Sequence, residues 1–420
     1  MTLNDSLKGK CRICRHDDED RFVGLKGDTN AVQVSFPLGY ELSETEDDIR
    51  RDILQLFRIL SEFKKEEEGY ISKRKYDETF TGMFPLNAYL EIILYYMENG
   101  YYKEVEPVYK TRQTGKINWS RTIKQQKPLL YLNKDNVTYS PIYTNFTVKL
   151  STLNEDKEIT LINQYCVRES FEKVGWIFTS FIPPKSEIPF DKNRFLSVLR
   201  TKLSNTNNDV KKRLFRSMID IIKDKDEKNP NERVHFGTNS FAYVWEGLIE
   251  KTFGNVAKED YYPRGEWTLK YNDDKPTHEL RPDTIMCYDG NFFVLDAKYY
   301  RYGDSNDPSH LPSSSSINKQ ITYGEYVKLK ENDKTVYNAF LMPYNKNKDI
   351  FPSKEDFLNI GEAIPKWKYL NGEDDEIIEY EHIQGILVDI NFLMDNYRIQ
   401  STENIENLAK AIMDAFEEKD

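Results

Sequence analysis

Apolar positions along this chain follow two periods, and their succession outlines the architecture. Residues 30–70 begin as a strand and pass into an amphipathic helix with an acidic start at Ser43, Glu44, Thr45, Glu46, Asp47 and Asp48. Ile49, Ile53, Leu54, Leu56, Phe57, Ile59 and Leu60 supply its apolar stripe. Residues 84–180 mix helices with strands, the strands including 128–132 and 159–162. Residues 181–189 hold Pro183, Pro184 and Pro189 and break the periodicity, so a domain boundary is placed there, dividing the chain into 1–182 and 183–420. Beyond it the pattern predicts helices to about residue 253, a hairpin, a helix over 313–330, a strand at 336–342 and a late strand at 383–389. No internal repeat is visible, and the serine run 313–316 is the one low-complexity piece.

The hairpin carries the chemistry. Asp289 and Gly290 form a two-residue loop of the kind that closes an antiparallel pair, with apolar runs on both sides. With that loop, Tyr288 faces Asn291 and Asp283 faces Asp296. Opposed Cβ atoms lie roughly 4.5–5.5 Å apart and like charges so placed repel, which calls for a cation between them. A hard divalent ion, Mg²⁺ or alternatively Mn²⁺, suits two carboxylates. Lys298 falls on the same face as Asp296, because strand side chains alternate with period two. Two metal ligands, Asp283 and Asp296, and one fixed cation, Lys298, are what metal-assisted phosphodiester hydrolysis requires. Acid-x-Lys is common in a chain that is 31% charged, but here the second acid ends the apolar run Phe292, Phe293, Val294, Leu295.

Upstream, residues 241–253 have helical spacing, with Glu246 and Glu250 on neighbouring turns of one face. Glu246 is expected to lend a further carboxylate, and Glu250 to face solvent. Downstream, the 313–330 helix carries Gln320 and Tyr323.

The 420 residues suffice for two or three domains. The N-terminus lacks a basic region followed by an apolar run, and no apolar stretch is long enough to span a bilayer, so a cytoplasmic protein with no membrane partner is expected. Four cysteines do not make a disulfide framework. Cys11, Cys14 and His16 resemble half of a zinc site, but a structural zinc needs four ligands and Cys166 and Cys287 are distant singles. A net charge of −11 argues against coating nucleic acid through bulk electrostatics, since phosphate contacts come from Lys and Arg. Locally, Lys110, Arg112, Lys116, Arg121, Lys124 and Lys127 run without one acid and surround Trp119. Lys110, Arg112, Lys116, Trp119, Arg121 and Lys124 are candidates for DNA or partner contact.

The arrangement Pro282-Asp283, then Asp296, a spacer and Lys298 resembles the PD-(D/E)XK nuclease superfamily. Gln320 and Tyr323 resemble its Gln-and-Tyr motif on the helix after the catalytic strand. The resemblance implies a fold of the α+β or α/β class: an N-terminal mixed α/β region that binds a partner or DNA, then a PD-(D/E)XK nuclease domain with a central mixed sheet flanked by helices. It implies Asp283, Asp296, Lys298, Glu246 and Gln320 as the catalytic set.

Read together with residues 115–122, Tyr143 to Phe146 and Trp245-Glu246, this order resembles McrC-type nuclease subunits, in particular the LlaJI-like restriction endonuclease family, over about residues 35–345. That resemblance implies double-stranded DNA as substrate and a separate AAA+ GTPase partner of McrB type. The chain has no Gly-x-x-x-x-Gly-Lys-Ser/Thr loop, Gly115-Lys116 being followed by Ile117, so it binds no nucleotide alone. Self-association as a homo-oligomer stays open. Two other readings remain: a standalone site-specific restriction endonuclease, and a non-catalytic assembly or activator protein that keeps a nuclease fold.

Overall fold

A computed structural model describes residues 6–27, 32–70, 80–81, 84–134, 136–154, 157–225, 234–271, 277–368 and 378–417. Strands β1 (Cys11–Ile13), β2 (Val23–Gly27) and β3 (Val32–Phe36) precede helix α1 (Glu46–Tyr70) and strand β4 (Phe80–Thr81). Next come α2 (Leu86–Asn99), β5 (Glu104–Arg112), α3 (Trp119–Gln125), β6 (Leu129–Leu132), β7 (Tyr139–Ile142) and β8 (Phe146–Asn154). Helices α4 (Glu158–Val174), α5 (Lys192–Ser204) and α6 (Asp209–Asp224) follow, then β9 (Val234–Thr238), α7 (Phe241–Phe253), β10 (Arg264–Glu266) and β11 (Thr277–Glu279). The last stretch holds β12 (Thr284–Tyr288), β13 (Asn291–Ala297), α8 (Tyr302–Ser305), α9 (Ser314–Lys330), β14 (Val336–Tyr344), β15 (Phe357–Ala363), β16 (Ile383–Asp389), α10 (Ile390–Asn396) and α11 (Thr402–Glu417).

The fold is mixed α/β, and it divides into two compact units: residues 1–84 with 231–420, and residues 85–230. This division differs from a cut at residue 182. The reason is β9, which returns the chain to the N-terminal sheet and pairs antiparallel with both β2 and β4. Residues 181–189 lie inside the second unit, so its proline-rich break joins two parts of one unit. The segment 159–162, expected as a strand, is the start of α4; Ile159, Ile162, Cys166, Val167 and Phe171 are buried at helical spacing, and that packing overrides the β-branched propensity.

The first unit has two five-stranded sheets, ordered β1-β3-β2-β9-β4 and β12-β13-β14-β16-β15. In the second, β13, β14 and β16 run parallel while β12 and β15 are antiparallel edges. The loop between β12 and β13 is Asp289-Gly290 as expected, both with positive φ (47° and 77°), which suits a two-residue hairpin turn. Helix α9 packs on this sheet through Ile321, Tyr323 and Val327, against Val294, Val336 and Phe340. Fully buried Asn338 on β14 seals the contact: its Nδ2 donates to Gln320 O (3.1 Å) and Tyr380 O (2.5 Å), and its Oδ1 accepts from Gln320 Nε2 (3.1 Å).

Helix α1 realises its expected stripe, with Ile49, Ile53, Leu56, Phe57, Ile59 and Leu60 buried. Its Glu62 accepts from Lys251 Nζ (2.6 Å), Arg398 Nη2 (2.7 Å) and Tyr397 OH (2.9 Å), joining α1 to α7 and the segment after α10. Burial works to raise the Glu62 carboxyl, but hydrogen bonds from Lys251, Arg398 and Tyr397 outweigh it and hold it down at about 2. A carboxyl lowered in the folded state stabilises above its unfolded value, and that contribution is lost as pH falls from about 4.3 toward the folded value. Glu62→Gln should therefore cost about 1–2 kcal/mol at pH 7 and flatten the loss of stability between those two pH values. Urea melts across that range check both parts.

In the second unit, helices α2, α4, α5 and α6 enclose a core that includes Tyr89, Ile92, Phe171, Phe195 and Phe215. Strands β5 and β8 form one antiparallel ribbon, and β6 and β7 another. Among the described residues no helix is long and apolar enough to cross a membrane. The thiols of Cys11 and Cys14 are pushed up to about 12 and 11, chiefly by burial, and Cys14 Sγ donates to Asp20 O (3.0 Å), so both stay protonated near neutrality.

Candidate active site

Hairpin register decides what meets at the end of β13. Thr284 pairs with Leu295 and Tyr288 with Asn291, the register expected from the two-residue turn. Asp283 stands one residue before β12, opposite the end of β13, and its Oδ2 accepts from Ala297 N at 2.9 Å. Asp296 is buried (3% exposed) and its Oδ2 forms an ion pair with Lys298 Nζ. Lys298 N donates to Leu341 O (2.9 Å), which carries the β13–β14 pairing to the lysine and fixes its backbone.

Helix α7 brings further acids. Trp245 is fully buried and its Nε1 donates to Leu341 O (3.2 Å), so the helix is tied to β14 in the middle of its sheet. Its neighbour Glu246 is half-buried, and burial raises its carboxyl, as do the charges of Asp296 and Glu250, while Lys258 and Lys319 oppose. Burial, then Asp296 and Glu246, push the Asp283 carboxyl up to about 8 against the pull of Ala297 N–H and Lys298. Three expected residues, Asp283, Asp296 and Glu246, therefore share one electrostatic field with Lys298.

Glu250 departs from the expectation of a solvated face. Its Oε2 is buried without a hydrogen-bond partner and its Oε1 lies 3.5 Å from Lys258 Nζ. The cause is the i, i+4 spacing, which turns Glu250 the same way as Glu246. Lys258 also donates to Asp283 O at 2.5 Å. Nothing in the sequence flagged Lys258, which stands in a short 3-10 turn after α7.

Gln320 reaches β13 at its backbone. Its Nε2 donates to Val294 O (2.8 Å) and to Asn338 Oδ1, two residues short of Asp296 along β13, so what it does is tie α9 to the sheet. Tyr323 does the same for the other acid, its hydroxyl donating to Arg281 O (2.7 Å) in the segment that leads to Asp283. Lys319, one turn before Tyr323, had a readable signal in that shared helical face.

Donor chemistry fits a hard cation. Among the described residues no three His, Cys, Asp or Glu side chains form a ready metal cluster. Mg²⁺ keeps several waters and needs only one or two carboxylates, a number that Asp283 and Asp296 would meet. Their mutual repulsion in a buried position is what a divalent ion relieves.

The candidate contact residues lie in the second unit. Lys110 and Arg112 are on β5, Lys116 is in the following loop, and Trp119, Arg121 and Lys124 are on α3, all exposed. Trp119 packs edge-on against Phe146 (5.6 Å between centroids), and the Arg121 guanidinium lies 3.7 Å over the Tyr109 ring.

Comparison with known proteins gives three findings. A family model described as LlaJI restriction endonuclease matches residues 22–366. The type II restriction enzyme BsuMI component YdjA of Bacillus subtilis (strain 168) is 27% identical over 335 residues, covering 73% of this chain and 69% of that protein. A half-complex of Thermococcus gammatolerans McrB AAA+ hexamers with bound McrC aligns over 92% of this chain and 83% of the matched chain, at 16% identity and a TM-score of 0.36, too low to equate the two folds.

Proposed function

Because the chain belongs to the LlaJI restriction endonuclease family, we propose that it is the Mg²⁺-dependent nuclease subunit of a nucleotide-driven restriction system, cutting double-stranded DNA. The observation that carries this reading is the meeting of Asp283, Asp296 and Lys298 at the end of one hairpin, with Asp283 held far above the ordinary carboxylate range. Mg²⁺ bound there would polarise the scissile phosphate and lower the pKa of a water. Asp283 and Asp296 would hold the ion, and Ala297 N–H orients the Asp283 carboxylate. Lys298 neutralises charge that develops on the phosphate, and its pairing with Asp296 keeps it in place. Glu246 adds negative charge beside both ligands. On this reading the central mixed sheet with its helices is a PD-(D/E)XK core, and Gln320 and Tyr323 hold its helix in register.

A separate AAA+ GTPase of McrB type drives the system. Two facts support this: the chain has no phosphate loop of its own, and its Bacillus relative is named as a component of a restriction enzyme. The exposed basic and aromatic residues of β5 and α3 contact that partner or the DNA.

Plasmid cleavage by the purified chain tests the reading, in Mg²⁺ with and without GTP or ATP and a candidate AAA+ partner of McrB type. Cleavage that needs partner and nucleotide is expected. Cleavage by the chain alone would instead indicate a standalone endonuclease, and none under any condition an assembly protein.

A further inference from the structure

Three lysines surround the acids, and they are not equivalent. Lys298 is paired with Asp296, and Lys258 is held by Asp283 O and Glu250, so oxygens of the fold hold both ammoniums in place. Lys319 is exposed, and no carboxylate among the described residues lies within ion-pair distance of it. It stands on α9 between two anchors. Gln320 fixes the helix to Val294 O of the catalytic strand, and Tyr323 fixes it to Arg281 O of the strand-entry segment. The Lys319 ammonium lies 5.3 Å from the centroid of the Tyr323 ring, one helical turn away. Burial works to lower its pKa, but Tyr323 and the fields of Asp296 and Asp283 outweigh it and raise it.

We propose that Lys319 is the residue that grips a DNA phosphate at this site, an inference that rests on the nuclease reading above. A phosphate approaching Glu246, Glu250, Asp283 and Asp296 meets negative charge, and an exposed cation on the neighbouring helix offsets it. An ammonium carries three donors, so the contact to Tyr323 leaves others to take phosphate oxygens. The anchoring through Gln320 and Tyr323 presets where that phosphate lies relative to Asp283 and Asp296.

The test uses the full chain in its cleaving complex and a fluorescent DNA duplex as probe. In an Asp296→Asn background, adding Lys319→Gln should weaken duplex binding about tenfold at physiological salt and lower the slope of log affinity against log salt by about 1. Lys319→Arg should restore both. In the otherwise native chain, Lys319→Gln should raise KM more than it lowers kcat. Unchanged affinity and slope, or a loss confined to kcat, overturns the proposal and makes Lys319 a tuner of the acids. If the native complex cleaves and Lys319→Gln matches it throughout, this inference alone fails; if the native complex never cleaves, the nuclease reading fails and takes the inference with it.

Discussion

Asp296→Asn and Lys298→Ala should each lower DNA cleavage by about a thousandfold or more while leaving the protein folded. Both side chains sit at the end of a hairpin whose pairing is backbone-driven, so the strands do not depend on them. Asp283→Asn should be equally inactive, yet it should make the metal-free protein more stable. An acid whose folded pKa lies above its unfolded value opposes folding once pH passes that unfolded value. For Asp283 the penalty grows from about pH 3.9 up to the folded value of about 8 and is constant above it. The Asn variant should therefore melt higher at pH 8, by on the order of 1–2 kcal/mol, with the gain fading as pH falls toward 4. Mg²⁺ should raise the melting temperature of the native chain and not of the variant, because only an ion that binds the folded site shifts the equilibrium. Thermal melts with and without Mg²⁺, beside a cleavage assay, read all of this. A variant that cuts DNA at the native rate would remove Asp283 from the site.

Asn338→Ala should cost about 3 kcal/mol, a large loss for a polar residue outside the acids. The residue is fully buried, and its amide bonds both Gln320 and Tyr380. Truncation would orphan Gln320 Nε2 from one of its two acceptors and two backbone carbonyls from their donor, inside a packed sheet–helix contact. The helix is close here: a Cβ on Gly324 would lie 2.5 Å from Asn338 Nδ2. Loosening it frees Tyr323 from Arg281, so cleavage should fall together with stability. Urea unfolding measures the first, and a cleavage assay well below the melting temperature the second. Full activity in a variant destabilised by this amount would show that α9 does not set the acids' positions.

Local pattern made much of this legible. A two-residue loop leaves one register open to the hairpin, so the approach of Asp283 to Asp296 followed from counting. Helices α7 and α9 and strands β14 and β16 were readable because each buries one consistent face or a continuous apolar run. Glu250 was misassigned because facing solvent and facing the acids have the same helical spacing, and only the position of Lys258 separates them. Lys258 itself lies in a short turn with no period to read. The division into units was hidden for a different reason: a proline-rich break at 181–189 marks a change of direction within a unit as readily as a border, whereas the pairing of β4 with β9 leaves no composition signal.

That pairing also orders events in time. Strands β2 and β4 have no complete sheet until β9 arrives, and all of residues 85–230 must be synthesised before it does. Closing so long a loop is slow unless the intervening chain has already collapsed, which residues 85–230 can do because their contacts lie within their own unit. On the ribosome, then, the middle of the protein matures first while its beginning waits, strand edges unpaired, for the segment that brings in α7 and the β12–β13 hairpin. On the proposed reading, a nascent chain arrested before residue 234 carries neither α7 nor the hairpin, so none of the acids of the proposed site exists until more than half of the chain has been made.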